Sequence, residues 1–449
     1  MNLARKLKAR AAAGNPVRVG LIGAGKFGSM FLSQVRTTPG MHLVGIADLS
    51  VQRAWEALGR TGWDADAVVA RDFDQAWRTG GTVLTDDAEA LIAADGIEVI
   101  VEATGNPAAG LRHALSAIAH RRHIVMVTVE ADVLAGPLVA QRAAEAGVVY
   151  AAAFGDQPAL VCDMVDWAEA CGFRVVAAGK GTKYLPAYHA STPETVWENL
   201  GIAPAAAALG GMNPQMFNSF VDGTKSSIEM AAISNATGLS APREGLKFPP
   251  CGVDDLPRIL RPRDAGGVLD RAGEVEVVSS VERDGRPVFR DLRWGVYVVL
   301  EADPSPRGDY ARRCFGEYGM ATDPSGRYTA LYRPYHMIGL ELGISVAAAA
   351  LRQEATGAPI GFFSDVVAVA KRDLLAGEVL DGEGGYTVWG RLMQATDSLA
   401  CGGLPIGLAH GVKVLRPIAA GEVLGWADVD IADSDTVRLR RQMEQMLAG

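Results

Sequence analysis

Cysteine is scarce in this chain, and long apolar runs are missing from it. The five cysteines among 449 residues are scattered and show no Cys-x-x-Cys spacing. An odd, dispersed set is typical of reduced thiols in the cytosol and argues against a disulfide framework or a zinc site. Because no apolar run reaches the roughly 18 residues of a membrane-spanning helix, we expect a cytoplasmic protein that does not enter a membrane.

An excess of positive charge is also missing. The net charge is −9 at pH 7, while 49% of the residues are hydrophobic. This balance argues against general binding of nucleic acid or of an anionic membrane surface, but it allows a local basic pocket for a small anionic substrate. The length predicts two or three domains with buried cores.

Glycine, by contrast, follows a pattern near the N-terminus. Residues 17–28 form a short apolar run that leads into Gly-x-Gly-x-x-Gly and then into a helix-like stretch. Gly23 permits a tight turn, Gly25 lets a pyrophosphate approach the backbone, and Gly28 lets the helix pack closely on the strand. This pattern predicts a dinucleotide-binding (Rossmann) domain whose cofactor contacts include Gly23, Gly25, Lys26, Phe27 and Gly28.

An acidic residue ends the next predicted strand. Asp48 lies about 20 residues after the last glycine, as the dinucleotide fingerprint requires. Its carboxylate would bind the ribose hydroxyls and repel the 2′-phosphate of NADP, which favours NAD. Arg53 follows closely and could pair with that phosphate, so the sequence leaves NAD and NADP both open.

Strands and helices continue to alternate after this acid. Residues 96–105 and 123–129 are further buried strands of a parallel sheet. The loops after them should face the nicotinamide, because ligands of such sheets bind beyond the carboxyl ends of the strands. Thr104 and Gly105 are therefore predicted cofactor contacts. The long segment 49–95 predicts a cap on the sheet or a subunit contact.

The pattern changes after residue 152, where a second domain is expected to begin. Residues 179–183, Gly-Lys-Gly-Thr-Lys, predict an anion-binding loop after a strand, with a solvated turn as the alternative. Residues 242–273 predict a long loop of the kind that serves as a lid. The dipeptide Asp284-Gly285 predicts a hairpin between the strands of 275–300.

The densest set of polar residues lies at 222–229, in a turn that opens a predicted helix. It consists of Asp222, Thr224, Lys225, Ser226 and Glu229. A helix N-terminus with a lysine and hydroxyls nearby suits a phosphate or carboxylate, whereas an intrahelical ion pair between Lys225 and Glu229 is the alternative. The acids Glu130, Asp156 and Asp222 are candidate ligands of one divalent ion, although acids scattered in sequence need not converge. Histidines 189 and 336 are candidate acid–base groups or satisfied structural histidines.

The phrase Ala-Gly-Glu-Val-Leu occurs twice near the C-terminus, within 371–380 and 415–424. Each copy fits a turn that leads to a strand, and the pair resembles the repeated phrases of SAF domains. We expect an α/β protein with three domains. They are a Rossmann domain with a parallel sheet (1–152), an α+β substrate-binding, catalytic and dimerisation domain (153–361), and a small β-rich SAF-like domain (362–449).

These segments together resemble the homoserine dehydrogenase-like oxidoreductases with a C-terminal SAF domain, and within them the deoxyxylulose-phosphate reductoisomerase-like (DRL) branch. The resemblance covers nearly the whole chain. Besides the glycine turn and the repeated phrase, it rests on residues 102–105, 129–132, 155–158, 179–183, 219–225 and 333–336.

The resemblance implies a homodimer that rearranges deoxyxylulose phosphate and reduces the resulting aldehyde with NADPH, aided by Mg²⁺ or Mn²⁺. It implies roles for Lys180, Lys183 and Lys225 at the phosphate and the developing oxyanion, and for Asp156, Asp222 or Glu229 in proton transfer or metal binding. Two alternatives stay open: a dehydrogenase of homoserine or another small hydroxy acid, and a regulatory protein that senses the nucleotide.

Overall fold

This computed structural model describes residues 2–209 and 212–447, so the extreme ends of the first and third predicted domains lie outside the described residues. The strands are β1 (Val17–Ile22), β2 (Met41–Ala47), β3 (Val69–Ala70), β4 (Thr82–Thr85), β5 (Val99–Glu102), β6 (His123–Met126), β7 (Tyr150–Ala152), β8 (Arg174–Thr182), β9 (Glu274–Ser279), β10 (Val296–Glu301), β11 (Tyr328–Arg333), β12 (Ser364–Ala370), β13 (Val379–Asp381), β14 (Val388–Gln394), β15 (His410–Val414) and β16 (Val429–Asp430).

The α-helices are α1 (Leu3–Ala12), α2 (Lys26–Val35), α3 (Val51–Arg60), α4 (Ala65–Val68), α5 (Phe73–Thr79), α6 (Ala88–Ala93), α7 (Pro107–Ala119), α8 (Val129–Glu145), α9 (Gln157–Ala170), α10 (Val196–Leu200), α11 (Pro204–Leu209), α12 (Pro214–Val221), α13 (Thr224–Thr237), α14 (Leu256–Ile259), α15 (Asp309–Glu317), α16 (Gly343–Arg352), α17 (Ala395–Cys401) and α18 (Asp435–Glu444). None of the helices in the described ranges is long and apolar enough to cross a bilayer.

The chain divides into two compact units. The first consists of Met1–Leu160 and Met337–Ile360, and the second of Val161–His336 and Gly361–Gly449. The three-domain boundaries drawn from the sequence stay a prediction.

The first unit is built on a seven-stranded parallel sheet, in the order β3-β4-β2-β1-β5-β6-β7. Strands β1, β2, β5 and β6 coincide with the apolar runs that predicted them, and β1 lies between β2 and β5. The core includes the fully buried Phe31 and Leu32 of α2 and, from the returning segment, Leu342 and Val346. The predicted parallel Rossmann sheet is confirmed.

The segment 49–95 extends this sheet instead of capping it. Strand β4 pairs with β2, and β3 pairs with β4, both in parallel. Three helices of this segment, α3, α5 and α6, begin at polar caps, since Ser50, Asp72 and Asp87 each accept a hydrogen bond from the backbone of the first turn. The extra length therefore supplies two edge strands.

The second unit contains a four-stranded sheet in the order β11-β10-β8-β9. Strand β8 runs through residues 179–182, so the prediction of an anion-binding loop there is wrong. A Cβ on Gly179 would lie 1.8 Å from the carbonyl oxygen of Glu276, and one on Gly181 would lie 2.0 Å from that of Leu292. These glycines let neighbouring backbone segments approach β8 closely.

The same strand explains why the predicted hairpin is wrong. β8 pairs with β9 in parallel and with β10 in antiparallel fashion, and so lies between them. The dipeptide Asp284-Gly285 closes only a short local hairpin, in which Val281 and Pro287 form an antiparallel bridge and Glu282 N donates to Arg286 O at 2.8 Å. The loop 242–273 also contributes buried side chains, Leu256, Leu260 and Leu269, to a core, so it lacks the exposure of a lid.

The C-terminal part of the second unit is a small β-rich module, Ser364–Asp430, followed by α18. Its two sheets are the antiparallel pair β12-β14 and the three strands β13-β15-β16. The repeated phrases occupy matching positions, because Leu374 and Ile418 exchange backbone hydrogen bonds of 2.8 and 3.0 Å. Each copy also has its own ion pair, Arg372–Glu378 and Arg416–Glu422.

A buried ion pair attaches α18 to this module. The guanidinium of Arg440 donates to both carboxylate oxygens of Asp365 at 3.0 and 2.5 Å. Neither residue is exposed to solvent. Ser398 Oγ also donates to Asp365, at 2.6 Å. Two charges taken out of water are tolerated here because each is paired and hydrogen-bonded.

We therefore expect Arg440→Met to destabilise the second unit by about 3–5 kcal/mol, because it leaves the Asp365 carboxylate buried without a counter-charge. The measurement is the urea midpoint of unfolding followed by tryptophan fluorescence. The control is Arg438→Met, whose exposed guanidinium pairs with Asp433 and Asp435, and which should change stability by less than about 1 kcal/mol. Equal midpoints for the two variants would contradict this account.

Candidate functional site

The glycine turn after β1 has the geometry of a phosphate-binding turn. Gly23 has a φ of +98°, and a Cβ there would lie 2.6 Å from Ala103 O. A Cβ on Gly28 would lie 2.1 Å from Gly23 O. Both positions therefore require glycine for packing. A Cβ on Gly25 would have no heavy atom within 4 Å, so its side faces open space.

Helix α2 begins directly after Gly25. Its first turn, which includes Lys26 and Phe27, contains no acidic residue, and no side chain caps its N-terminus. The backbone N–H groups of a helix N-terminus and the helix dipole together attract anions. The turn and helix can therefore bind a pyrophosphate.

Asp48 lies at the end of β2, where the ribose of a dinucleotide is expected. Its carboxylate accepts hydrogen bonds from Ala24 N at 2.9 Å and from Ser50 N at 3.1 Å. The exposed guanidinium of Arg53 forms an ion pair with it at 3.2 Å. Asp48, which disfavours the 2′-phosphate of NADP, is thus in contact with Arg53, which favours it.

A cavity of about 450 Å³ opens at these residues. Four acids and two arginines are among the side chains that surround it. Its lining residues are Ile22, Gly23, Gly25, Ala47, Asp48, Leu49, Arg53, Asp86, Asp87, Ala88, Glu89, Ala103, Thr104, Asn106, Ala109, Arg112 and His113. Five of the predicted cofactor contacts line it (Gly23, Gly25, Asp48, Arg53 and Thr104), whereas Lys26, Phe27, Gly28 and Gly105 lie in the adjoining turns.

A buried glutamate ties together the loops that follow β5 and β6. Glu102 is fully buried and accepts hydrogen bonds from the hydroxyls of Thr104 and Thr128. Thr128 Oγ1 in turn accepts from Gly105 N at 3.0 Å, and His113 Nδ1 lies 3.4 Å from the same carboxylate. The sequence assigned no role to Glu102 beyond its place in the segment 102–105 of the resemblance, because its partners come from separate segments.

A second buried acid lies in α8. Asp132 accepts a hydrogen bond of 2.8 Å from Tyr150 OH. Burial raises its pKa to about 7, and the tyrosine hydrogen bond opposes this increase. The pKa of Tyr150 is raised in turn, chiefly by burial and then by the charge of Asp132. The Asp132 carboxyl is therefore mostly neutral below a pH of about 7.

The three candidate metal ligands are distributed over both units. Glu130 and Asp156 belong to the first unit, where Asp156 accepts from Gln157 N at 2.9 Å. Asp222 belongs to the second unit and is occupied by a lysine. Within 2–209 and 212–447, no three His, Cys, Asp or Glu side chains are grouped so that they could hold a metal ion. The described donor set does not fit a divalent ion.

In the second unit, two buried ion pairs involve predicted catalytic residues. Lys180 of β8 contacts Glu229 of α13, and both are almost fully buried. Asp222 pairs with Lys371 at 2.8 Å, a role that the repeated segment 371–380 did not predict for that lysine. Burial raises the pKa of Asp222, while the charge of Lys371 opposes the increase. The structure therefore brings Lys180 and Glu229 together.

The turn around Asp222 is bound to the C-terminal module. Lys371 Nζ also donates to Ser191 O and Gly385 O, at 2.7 and 2.6 Å. Thr224 Oγ1 accepts from Gly390 N at 2.8 Å. Lys225 lies at the start of α13, as expected, and the proposed anion-binding role of this turn stays a prediction.

Lys183, just beyond β8, lies in a different electrostatic setting from Lys180. Its ammonium donates to Asn199 O at 2.5 Å and lies 5.9 Å from the centre of the Tyr188 ring. Burial lowers its pKa, and the positive charge of Arg293 lowers it further. Among the described residues, no carboxylate pairs with either cation. The side chains of Lys183 and Arg293 can therefore attract an anion.

The two candidate histidines differ in burial. His189 is largely buried: its Nδ1 donates to Asp222 O at 2.7 Å, and its Nε2 lies 2.9 Å from Tyr184 OH. Burial lowers its pKa, despite the hydrogen bond to Asp222. His336 is only half-buried, and its Nδ1 donates to Trp294 O at 2.8 Å.

Comparison with family models gives one match. Residues 155–342, which are less than half of the chain, match the model described as oxidoreductase DRL, catalytic domain. No curated protein sequence matches the chain.

Solved structures give matches of low identity. Biliverdin reductase from Synechocystis is 20% identical, with 43% of this chain and 55% of that one covered and a TM-score of 0.29. myo-Inositol dehydrogenase from Lactobacillus casei is 16% identical, with coverages of 40% and 50% and a TM-score of 0.29. A probable dehydrogenase from Thermotoga maritima is 13% identical, with coverages of 64% and 73% and a TM-score of 0.35. The chain spans about half the length of the first two.

The first unit has the turn, helix and acid of a dinucleotide site, and residues 155–342 match an oxidoreductase catalytic domain. This combination is typical of NAD(P)-dependent oxidoreductases.

We expect Gly25→Ala to weaken NADH binding by at least about tenfold without changing the apo fold. The backbone at Gly25 (φ −69°, ψ −158°) is open to alanine, and its methyl group would occupy the empty space that a pyrophosphate needs. Fluorescence titration gives the Kd, and the apo melting temperature checks the fold. The control is Gly59→Ala on α3, where a Cβ also meets nothing within 4 Å. Unchanged NADH affinity in Gly25→Ala would place the pyrophosphate elsewhere.

Proposed function

We propose that this chain reduces a carbonyl group of a small phosphorylated substrate with hydride from NAD(P)H, and that the substrate is 1-deoxy-D-xylulose 5-phosphate. The product would be 2-C-methyl-D-erythritol 4-phosphate. The observation that carries the proposal is the match of residues 155–342 to the DRL catalytic domain. In the proposed reaction the carbon skeleton rearranges to an aldehyde, which then takes a hydride at carbon and a proton at oxygen.

Lys183 and Arg293 are proposed to bind the substrate phosphate. Their charges lie close enough for Arg293 to lower the pKa of Lys183, and no described carboxylate neutralises them. A phosphate would relieve this repulsion and accept hydrogen bonds from both groups. Tyr188 donates to the same Asn199 O as Lys183, and the centre of its ring lies 5.9 Å from the ammonium.

Lys180 and Glu229 are proposed to supply the proton. The ammonium of Lys180 can donate a proton to the alkoxide that forms when hydride reaches the aldehyde, while its ion pair with Glu229 holds the lysine side chain in position. A lysine in this role is favoured by its burial, because a dry site strengthens its interaction with a developing negative charge.

NADH is proposed as the preferred coenzyme. The Asp48 carboxylate, which accepts two backbone hydrogen bonds, is buried where a 2′-phosphate would have to lie. Asp86, Asp87 and Glu89 line the same cavity and also repel a 2′-phosphate. Arg53 and Arg112 line it as well and attract a 2′-phosphate.

The proposal is tested with the purified full chain, by NADH and NADPH oxidation with deoxyxylulose phosphate, in the presence of Mg²⁺, Mn²⁺ or EDTA. NMR and mass spectrometry identify the product. Formation of methylerythritol phosphate is the expected result. Turnover of aspartate semialdehyde alone would support the homoserine-type dehydrogenase. Coenzyme binding without turnover of any carbonyl compound would favour the nucleotide-responsive regulatory protein.

We expect Lys183→Met to raise KM for deoxyxylulose phosphate at least about tenfold, because one phosphate-binding charge is lost. The rate with unphosphorylated deoxyxylulose should change much less, since that compound lacks the anion. Steady-state kinetics of both substrates make the comparison. The exposed Lys413, changed to Met, is the control. An equal loss on both substrates would contradict a role at the phosphate.

We expect Asp48→Asn to shift the ratio of kcat/KM for NADPH over NADH upward by about tenfold, which corresponds to about 1.4 kcal/mol. The change removes the charge that repels the 2′-phosphate and leaves Arg53 free to bind it. The exposed Asp74, changed to Asn, serves as the matched control. A wild-type enzyme that already prefers NADPH would show that Arg53 sets the choice.

A further inference from the structure

A second cavity, of about 470 Å³, lies entirely within the second unit. One side comes from the segments 186–190 and 244–248 with Ser227, and the other comes from the C-terminal module. The lining residues of the module are Val369, Ala370, Lys371, Trp389, Arg391, Leu392 and Gly421. Its size and mixed lining are typical of a small-molecule site. None of its lining residues belongs to the dinucleotide cavity or was singled out above for binding the substrate phosphate.

Aromatic rings form a continuous part of this lining. His189 stacks on Trp389, with ring centres 3.9 Å apart and planes 22° apart. Phe248 lies edge-on to His189 and stacks on Tyr184 at 3.9 Å. Stacked rings of this kind are rigid and offer flat apolar surface, which suits a planar ligand.

The positive charge in the cavity is only partly neutralised. Lys371 is paired with Asp222, but Arg391 donates to the backbone oxygen of Glu244 at 3.0 Å and, among the described residues, pairs with no carboxylate. The one acid in the described lining, Glu244, is exposed to solvent. The charges of Lys371 and Arg391 both lower the pKa of His189, in addition to burial, so the potential at the rings is positive.

The His189 ring is neutral, and both of its nitrogens already have hydrogen-bond partners. Its Nδ1–H donates to Asp222 O, and its Nε2 is left to accept from Tyr184 OH. The ring therefore contributes a flat surface without a charge, while Arg391 provides the unneutralised charge next to it. A guanidinium beside aromatic rings is the combination that binds a carboxylate attached to a planar ring.

We propose that this cavity is a second ligand site and that it binds a planar aromatic carboxylate, with the ring against the His189–Trp389 stack and the carboxylate on Arg391. The ligand would bridge the C-terminal module and the rest of the second unit, because both line the cavity. This site is independent of the substrate proposed above, and its test requires no turnover.

The test is calorimetric titration of the full chain with indole-3-carboxylate, in the presence of saturating NADH so that the dinucleotide cavity is filled. We expect saturable binding, and at least tenfold weaker binding of the neutral indole-3-carboxamide. Arg391→Gln and Trp389→Leu should each raise the Kd at least tenfold. The control Arg438→Gln, at an exposed arginine on α18, should leave the Kd unchanged.

Three results of the titrations would contradict the proposed carboxylate site. Failure of indole-3-carboxylate to bind saturably, equal binding of the carboxamide, or an unchanged Kd in Arg391→Gln would overturn the proposal. Melting temperatures identify any variant that does not fold. Should Trp389→Leu not fold, the comparison of Arg391→Gln with Arg438→Gln decides the question, because Arg391 makes no buried ion pair within the described residues.

Discussion

The buried ion pair between Asp222 and Lys371 is the interaction on which the second unit depends. Two charges without access to water cost several kcal/mol each unless they are paired and hydrogen-bonded. Here the lysine also donates to two backbone oxygens, and the carboxylate accepts from Thr224 N at 2.9 Å. The pair joins the start of α13 to the β-rich module. The module is therefore part of the interior of this unit and not an appendage to it.

This pairing also determines where a negative charge can bind. Lys371 and Lys180 are paired with Asp222 and Glu229, so neither offers an unneutralised charge to a substrate phosphate. Lys183 and Arg293 have no such partner among the described residues. Lysines that are close in sequence thus differ in their electrostatic surroundings, because a carboxylate of α13 faces Lys180 and a backbone oxygen faces Lys183.

The sequence predicted those parts of the fold that depend on neighbouring residues. The glycine turn, the strand before it and Asp48 are local, and all of them are confirmed in position. Partners that come from distant segments could not be predicted. Lys371 is 149 residues away from Asp222, and its place at the start of the repeated segment 371–380 gives no sign of this partner. Strand β8 lies between the two strands that the Asp284-Gly285 turn is predicted to join. The hydrophobic pattern specifies strands, but it does not specify which strand lies between which others.

Glycine shows most directly why a motif alone leaves function undecided. Gly25 and Gly179 both lie in glycine-rich segments that predict an anion site. A Cβ at Gly25 would meet no atom, whereas a Cβ at Gly179 would collide with the backbone of β9. Gly25 leaves open space beside the chain, whereas Gly179 lets the chain pack against itself. Only the surroundings of each Cα therefore distinguish a candidate binding site from a packing contact.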